Sequence, residues 1–204
     1  MTKIIADITM SLDGYVTAPD PDLEHGLGVG GEPLHHWAIE SDDPVDAEIL
    51  ATSTEQTGAV IMGRRLFDII DGPQGWNEEM GYGAHHAAVP PVFVVTHTAP
   101  KSVRLGPRFR FVTEGLAAAV EQARAAAGDD GKDVVIMGGG DVIAQSIAEG
   151  LADELRLHLA PLVLGGGTPL FPAGTIHELE QQEVRVSRYA THLRYAVRRT
   201  DVSA

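Results

Sequence analysis

Two spacings of apolar residues alternate along this chain, and the switches between them mark out its elements. Ile4, Ile5, Ile8 and Met10 predict a first strand of about nine residues, closed by the turn-like Ser11-Leu12-Asp13-Gly14. Residues 18–34 are rich in proline, glycine and acids and predict a long surface loop, of a kind that is usually functional or mobile. Pro44, suited to a first helical turn, predicts a helix through about Gln56, and Ala59-Val60-Ile61-Met62 predict a buried strand. Gly63-Arg64-Arg65 start another helical turn that ends near Gly72, and a loop with glycine, tryptophan and histidine runs to Pro91. Strands follow at 92–96 and 109–112, then a helix over 114–127, whose alanines and i, i+3, i+4 spacing suit no other state. Val134 to Met137 form a short apolar run that meets Gly138-Gly139-Gly140, and Asp141 opens an amphipathic helix with Val142, Ile143, Ile147 and Leu151 on one face. Residues 153–161 alternate as a strand, and 183–199 read as two antiparallel strands turning near 189–192.

Strands alternating with helices imply an α/β fold: a mostly parallel central sheet, helices on both faces and a C-terminal antiparallel hairpin. No repeat or linker divides the chain, so residues 1–204 read as a single domain. A formal charge of −14 argues against nucleic acid or an anionic membrane as partner, without excluding a local basic pocket. The absence of cysteine excludes disulfides, thiolate metal sites and thiol nucleophiles. No signal-peptide pattern and no apolar run near the ~20 residues of a membrane span are present, so a cytoplasmic protein is expected.

Glycine clusters carry the candidate chemistry. Gly26, Gly28 and Gly31 satisfy G-x-G-x-x-G by letter, but no strand precedes them and no helix follows. Gly165-Gly166-Gly167 run into Thr168-Pro169 and suit a structural turn. Gly138 to Gly140 have both the strand and the helix, where free amides and the helix dipole favour a phosphate; a plain tight turn is the alternative. Val60 to Arg65 repeat the pattern with two guanidiniums, which suit a phosphate or else pair with Asp68 and Asp71. Two such sites on parallel strands would hold the two ends of a dinucleotide. His35-His36 and His85-His86 are adjacent pairs without metal-binding spacing, so no metal is expected. Ser11 lacks the context of a hydrolase nucleophile.

Five segments occur together and in order: 9–15 (TMSLDGY), 60–67 (VIMGRRLF), 91–96 (PVFVVT), 137–141 (MGGGD) and 151–171 (LADELRLHLAPLVLGGGTPLF). Over about residues 1–200 the chain resembles the dihydrofolate reductase-like family, in the branch related to the reductase domain of bacterial riboflavin biosynthesis. The resemblance implies NADPH binding and hydride transfer to a small heterocyclic or carbonyl-like acceptor. It places Gly63 and Arg64, with Arg65 beside them, at the 2′-phosphate end, and Thr96 and His97 at the adenosine. Gly138, Gly139, Gly140, Asp141 and Val142 fall at the pyrophosphate, in a turn that often holds a cis peptide. Leu12 to Tyr15, with Leu12 and Gly14 among the contacts, would cover the nicotinamide.

Two departures stand out. Folate-reducing members carry Thr two residues after the arginine, where this chain has Leu66. The helix carboxylate that holds a pterin has only a shifted counterpart, Asp46, which also suits a first-turn acid. Asp13 and Asp46 are the candidate proton donors, although Asp13 equally suits an Asp-Gly turn. His35, His36 and Trp37 end the long loop and either line the substrate pocket or simply anchor it, and Trp76 reads as a loop anchor. The expected protein is an NADPH-dependent reductase acting on a small molecule. It is expected to be a homodimer through its C-terminal strands, with a non-catalytic NADP(H)-binding protein as the alternative.

Overall fold

The computed structural model describes residues 2–73, 75–77, 81–82, 89–128, 131–173 and 176–198. An eight-stranded sheet organises it, in the order β5-β4-β3-β6-β1-β7-β10-β9. Its strands are β1 (Ile4–Ser11), β3 (Thr57–Gly63), β4 (Val92–Val95), β5 (Phe109–Val112), β6 (Asp133–Ile136), β7 (Glu154–Ala160), β9 (Leu179–Val186) and β10 (Thr191–Val197). Six of these run parallel, from β5 to β7, whereas β10 is antiparallel to both β7 and β9. A separate two-stranded ribbon pairs β2 (Tyr15–Thr17) with β8 (Thr168–Pro169).

Both faces of the sheet are apolar near its centre, as a parallel sheet covered by helices requires. On one face Ile4, Ala6, Ile61, Ile136 and Leu155 meet α4 (Leu116–Ala127) and α5 (Gly140–Ala148). Helix α4 buries Leu116, Ala119, Val120, Ala123 and Ala127, the stripe its sequence spacing predicts. On the other face Val60, Met62, Val92 and Val94 pack with Phe67 and Ile70 of α3 (Arg64–Ile70). Phe67 meets Phe109 and Phe111 edge-on, with centroids 5.3 and 5.0 Å apart. Helix α2 (Pro44–Gln56) starts as its sequence predicts, with the Asp43 carboxylate accepting from the Val45 amide at 2.9 Å. A short helix, α1 (His36–Ile39), follows a 3-10 turn at Glu32–His35 within the long loop.

Two features differ from the sequence expectation. The C-terminal hairpin begins at Leu179 and turns at 187–190, where the Ser187 amide donates to the Ala190 carbonyl at 2.9 Å. As the sheet edge, β9 is mostly exposed on both sides, so it lacks the apolar alternation that would reveal its start. The β2–β8 ribbon is too short for a periodic signal. Gly167 (φ +127°) enters β8 at a point where a side chain would collide with the Thr17 carbonyl. Among the described residues no helix is long and apolar enough to cross a membrane.

Candidate functional site

From β3 the chain winds outward through β4 to β5, and from β6 it winds the other way to β7. The reversal lies between β3 and β6, where α3 and α5 leave for opposite faces. Open α/β sheets bind ligands at such a point, outside the carboxyl ends of the strands. A cleft of about 800 Å³ lies here. Gly63, Arg64 and Arg65 line it from one side, Gly138 to Val142 from the other, and Thr96 and His97 close its far end. The Gly63 amide donates to the Gly138 carbonyl at 3.1 Å, which joins the two glycine turns.

Glycine is required at both turns by close approach. A Cβ on Gly63 would stand 2.9 Å from Cγ2 of Val142, and one on Gly140 would stand 2.9 Å from Cγ2 of Val16. The Gly138–Gly139 peptide is cis. No side chain caps the start of α5, whose residues Gly140 to Val142 line the cleft, and Asp141 brings a carboxylate to the same wall. Arg64 is held in place: Nε donates to Asp68 at 2.8 Å and Nη1 to the Thr98 carbonyl at 2.7 Å. Arg65 donates from Nη2 to the Pro21 carbonyl at 2.6 Å and so ties down the long loop, whose Gly26 and Leu27 also line the cleft. Asp71, the other expected partner, accepts instead from the amides of Arg104 and Leu105. Leu66 lines the cleft with an apolar side chain.

The turn after β1 is placed otherwise than its sequence suggests. Leu12 is 64% exposed, and neither it nor Asp13 nor Gly14 lines the cleft. The Asp13 carboxylate accepts from Ser11 Oγ at 2.6 Å and from the amides of Leu164 and Gly165 at 3.1 and 2.7 Å. The Ser11 hydrogen bond, helped by those amides, holds its carboxyl below the usual range, which keeps it ionised and unsuited to donate a proton. Asp13 therefore acts as a clasp between two loops. His36 lines neither the cleft nor the smaller cavity beside it and lies against Glu40 (3.7 Å) and the edge of Tyr189. His85 and His86 fall outside the described residues. Trp76 does anchor its loop, with its amide on the Ile70 carbonyl at 2.9 Å and the Arg108 guanidinium 5.0 Å from its ring.

A second cavity of about 300 Å³ shares Ile8, Thr9, His35 and Met137 with the cleft. Asp7, Trp37, Ser53, Tyr82 and His158 are among the other residues of its wall. Trp37 donates from Nε1 to Thr9 Oγ1 at 2.9 Å, and its ring lies 4.0 Å from that of His158. Behind this wall Asp46 is 1% exposed and lines neither cavity. Its Oδ2 accepts from Ser41 Oγ at 2.5 Å and its Oδ1 meets His192 Nε2 at 2.7 Å. Nδ1 of His192 meets Nδ1 of His158 at 2.7 Å, and Nε2 of His158 meets Asp7 Oδ1 at 3.0 Å. Burial pushes the His192 imidazole below its ordinary pKa, His158 adds to this, and the Asp46 hydrogen bond opposes it. Burial and the charge of His158 likewise lower His35, and burial raises the Tyr82 phenol.

Sequence reasoning did not single out Asp7, His158 and His192 as functional. Each occupies the polar phase of a strand pattern, which ordinarily means solvent. Asp7 within a strand-like run was the one available signal.

Comparison with known proteins accords with this architecture. A putative riboflavin biosynthesis protein of Shewanella sp. PV-4 superimposes with a TM-score of 0.67 at 22% identity, covering 97% of this chain and 100% of that one. A pyrimidine reductase-like protein of Corynebacterium diphtheriae gives 0.61 at 17% identity, over 97% and 92% of the two chains. A diaminohydroxyphosphoribosylaminopyrimidine deaminase/5-amino-6-(5-phosphoribosylamino)uracil reductase of Thermotoga maritima gives 0.60 at 12% identity; 96% of this chain covers 56% of that one. The uncharacterised protein YyaP of Bacillus subtilis is 24% identical over 175 residues, 83% of this chain and 80% of that protein. Residues 2–194 match the RibD C-terminal domain, and this chain belongs to that reductase-type family.

Proposed function

We propose that the 800 Å³ cleft binds NADPH and that the protein reduces a small heterocyclic acceptor seated in the adjoining 300 Å³ cavity. One observation carries this reading: both glycine turns singled out in the sequence line a single cleft at the reversal of strand winding. The residues suit the coenzyme. The turns carry no Cβ where a backbone must come close, and the cleft volume lies in the ~300–1,000 Å³ range of ligand sites.

Arg64, with Thr96 and His97, would take the 2′-phosphate end, and the start of α5 the pyrophosphate, its amides offsetting the carboxylate of Asp141. NADPH, when bound, supplies a hydride. The protein's part is to hold the acceptor against it, exclude water and provide a proton. Trp37 offers the acceptor cavity an aromatic wall, and Asp7, Ser53, Tyr82 and His158 offer polar groups. Asp7 takes the place expected of Asp13 and Asp46 as the carboxylate facing the acceptor. The uracil reductase activity named for the Thermotoga protein, and the likeness to pyrimidine reductases named for the Corynebacterium protein, favour a pyrimidine among heterocycles. The expected homodimer rests on β9, an edge strand with Val184 and Val186 exposed; a monomer mass in sedimentation would remove it.

The test is calorimetric titration with NADPH, followed by coenzyme oxidation across pterins, pyrimidines and quinones. Binding with turnover of a heterocycle supports the proposal. Absence of binding ends it, and binding without turnover on any acceptor assigns the chain to the non-catalytic alternative.

A further inference from the structure

The line of contacts from Asp46 through His192 and His158 to Asp7 poses a counting problem. Its three contacts, at 2.7, 2.7 and 3.0 Å, each need one hydrogen. Two neutral imidazoles bring one N–H apiece, and ionised carboxylates bring none. Two hydrogens cannot serve three contacts, and the Nδ1-to-Nδ1 contact would set lone pair against lone pair if the others were filled first. The line is complete only with a third proton, which takes its net charge from −2 to −1.

We propose that Asp7, His158, His192 and Asp46 form a buried store of one exchangeable proton, released at Asp7 to the acceptor during its reduction. The inference rests on the reductase reading above. The placement of the members supports it. Asp46, His192 and His158 are buried, whereas the Asp7 side chain is 19% exposed and lines the acceptor cavity. Trp37 covers both imidazoles, with ring centroids 4.0 and 5.1 Å away. The third hydrogen is assigned to His158, whose Nε2 meets the carboxylate that lines the acceptor cavity, and the neutral imidazole is His192, bonded through Nε2–H to Asp46; burial of His192 acts in the same direction. His158 then carries hydrogens on both nitrogens, one toward His192 and one toward Asp7.

The other charged groups facing the line do not supply this proton. Arg156 is bound to Glu154 at 2.8 Å, Arg185 to Glu48 at 2.7 Å and Arg194 to Glu183 at 3.0 Å. His35 and Tyr82 are both held toward their neutral forms.

Reduction of a C=N or C=O bond consumes a hydride, from the reduced nicotinamide, and one proton. Asp7 takes the proton as the Nε2–H bond of His158 breaks and passes it to the acceptor heteroatom, forming its N–H or O–H bond, and returns to its carboxylate. The line then holds two protons at charge −2, and one contact is left without hydrogen, which drives refilling. A further cavity of about 310 Å³ is lined by both imidazoles and by Glu48, whose side chain is 64% exposed, and gives solvent protons a way in.

The test uses the full chain labelled with ¹⁵N-histidine, without coenzyme, at pH 7. Nitrogen shifts should show His158 protonated at both nitrogens and His192 at Nε2 alone. In Asp46→Asn the amide donates to His192 Nε2, so two imidazole hydrogens complete the line and His158 should become neutral. With NADPH and the acceptor found in the panel, Asp46→Asn should lower kcat at least tenfold with KM for NADPH unchanged, and move the alkaline limb of the pH profile downward. A neutral His158 in the parent protein overturns the store even if the variant fails to fold. An unchanged pH profile in the folded variant overturns the release. If the parent turns over no acceptor, the reductase reading fails, while the nitrogen shifts still decide whether the store exists.

Discussion

The glycine-lined cleft and the histidine line lie side by side yet are built in opposite ways. The cleft is assembled from contiguous turns, 63–65 and 138–142, whose donors are backbone amides and partly exposed guanidiniums. The line draws single side chains from β1, α2, β7 and β10, three of them buried and Asp7 partly so. Losing one donor from the cleft weakens a ligand but leaves the fold alone. Losing His192 from the line strands the buried carboxylate of Asp46, so stability and the proposed function are tied together there.

His192→Ala draws this contrast most sharply. It leaves Asp46 with Ser41 as its remaining partner, and the cost should be about 3–5 kcal/mol by denaturant unfolding. A loss below ~1 kcal/mol would mean that the line is as forgiving as the cleft. Arg64→Ala tests the other side. NADPH affinity should fall roughly 10- to 100-fold, as for a lost charged hydrogen bond, with NADH nearly unaffected and unfolding changed by no more than about 1 kcal/mol. Equal losses for the two coenzymes would remove its 2′-phosphate role.

A smaller effect should appear with pH. His35 and His192 have lowered pKa values in the folded protein, whereas in the unfolded chain they titrate near ~6.5. Their stabilising contribution is full above that value and is lost as pH falls through the folded pKa. Tm should decline from pH 7 to pH 5, and His35→Asn should flatten the decline; an unchanged slope would show that His35 does not titrate with unfolding. Least of all, Arg65→Ala should weaken NADPH only about two- to fivefold, by freeing the loop held at Pro21. A loss matching that of Arg64→Ala would show direct phosphate contact.

Much of this was legible beforehand. Helix α2 begins at Pro44 and ends at Gln56 as its composition predicts, and β3 and β6 lie where buried apolar runs meet glycine. The long loop's fold over the cleft was not legible, because it depends on the contact of Arg65 with Pro21, 44 positions away. The roles of Asp13 and Asp46 were equally hidden. Each is a plausible acid by position, yet the first clasps residues 164–165 and the second faces His192 across 146 positions.

By itself the sequence determined the alternation of strands and helices, the two glycine turns and their place at strand ends, because period and backbone freedom are local properties. Only the tertiary structure decided which turns face one another, that residues 12–14 after β1 stay out of the cleft lining, and that two polar-phase histidines are buried against two carboxylates. Burial and pairing depend on what the rest of the chain brings alongside, and a strand residue's identity does not say whether its outward face meets water or another helix.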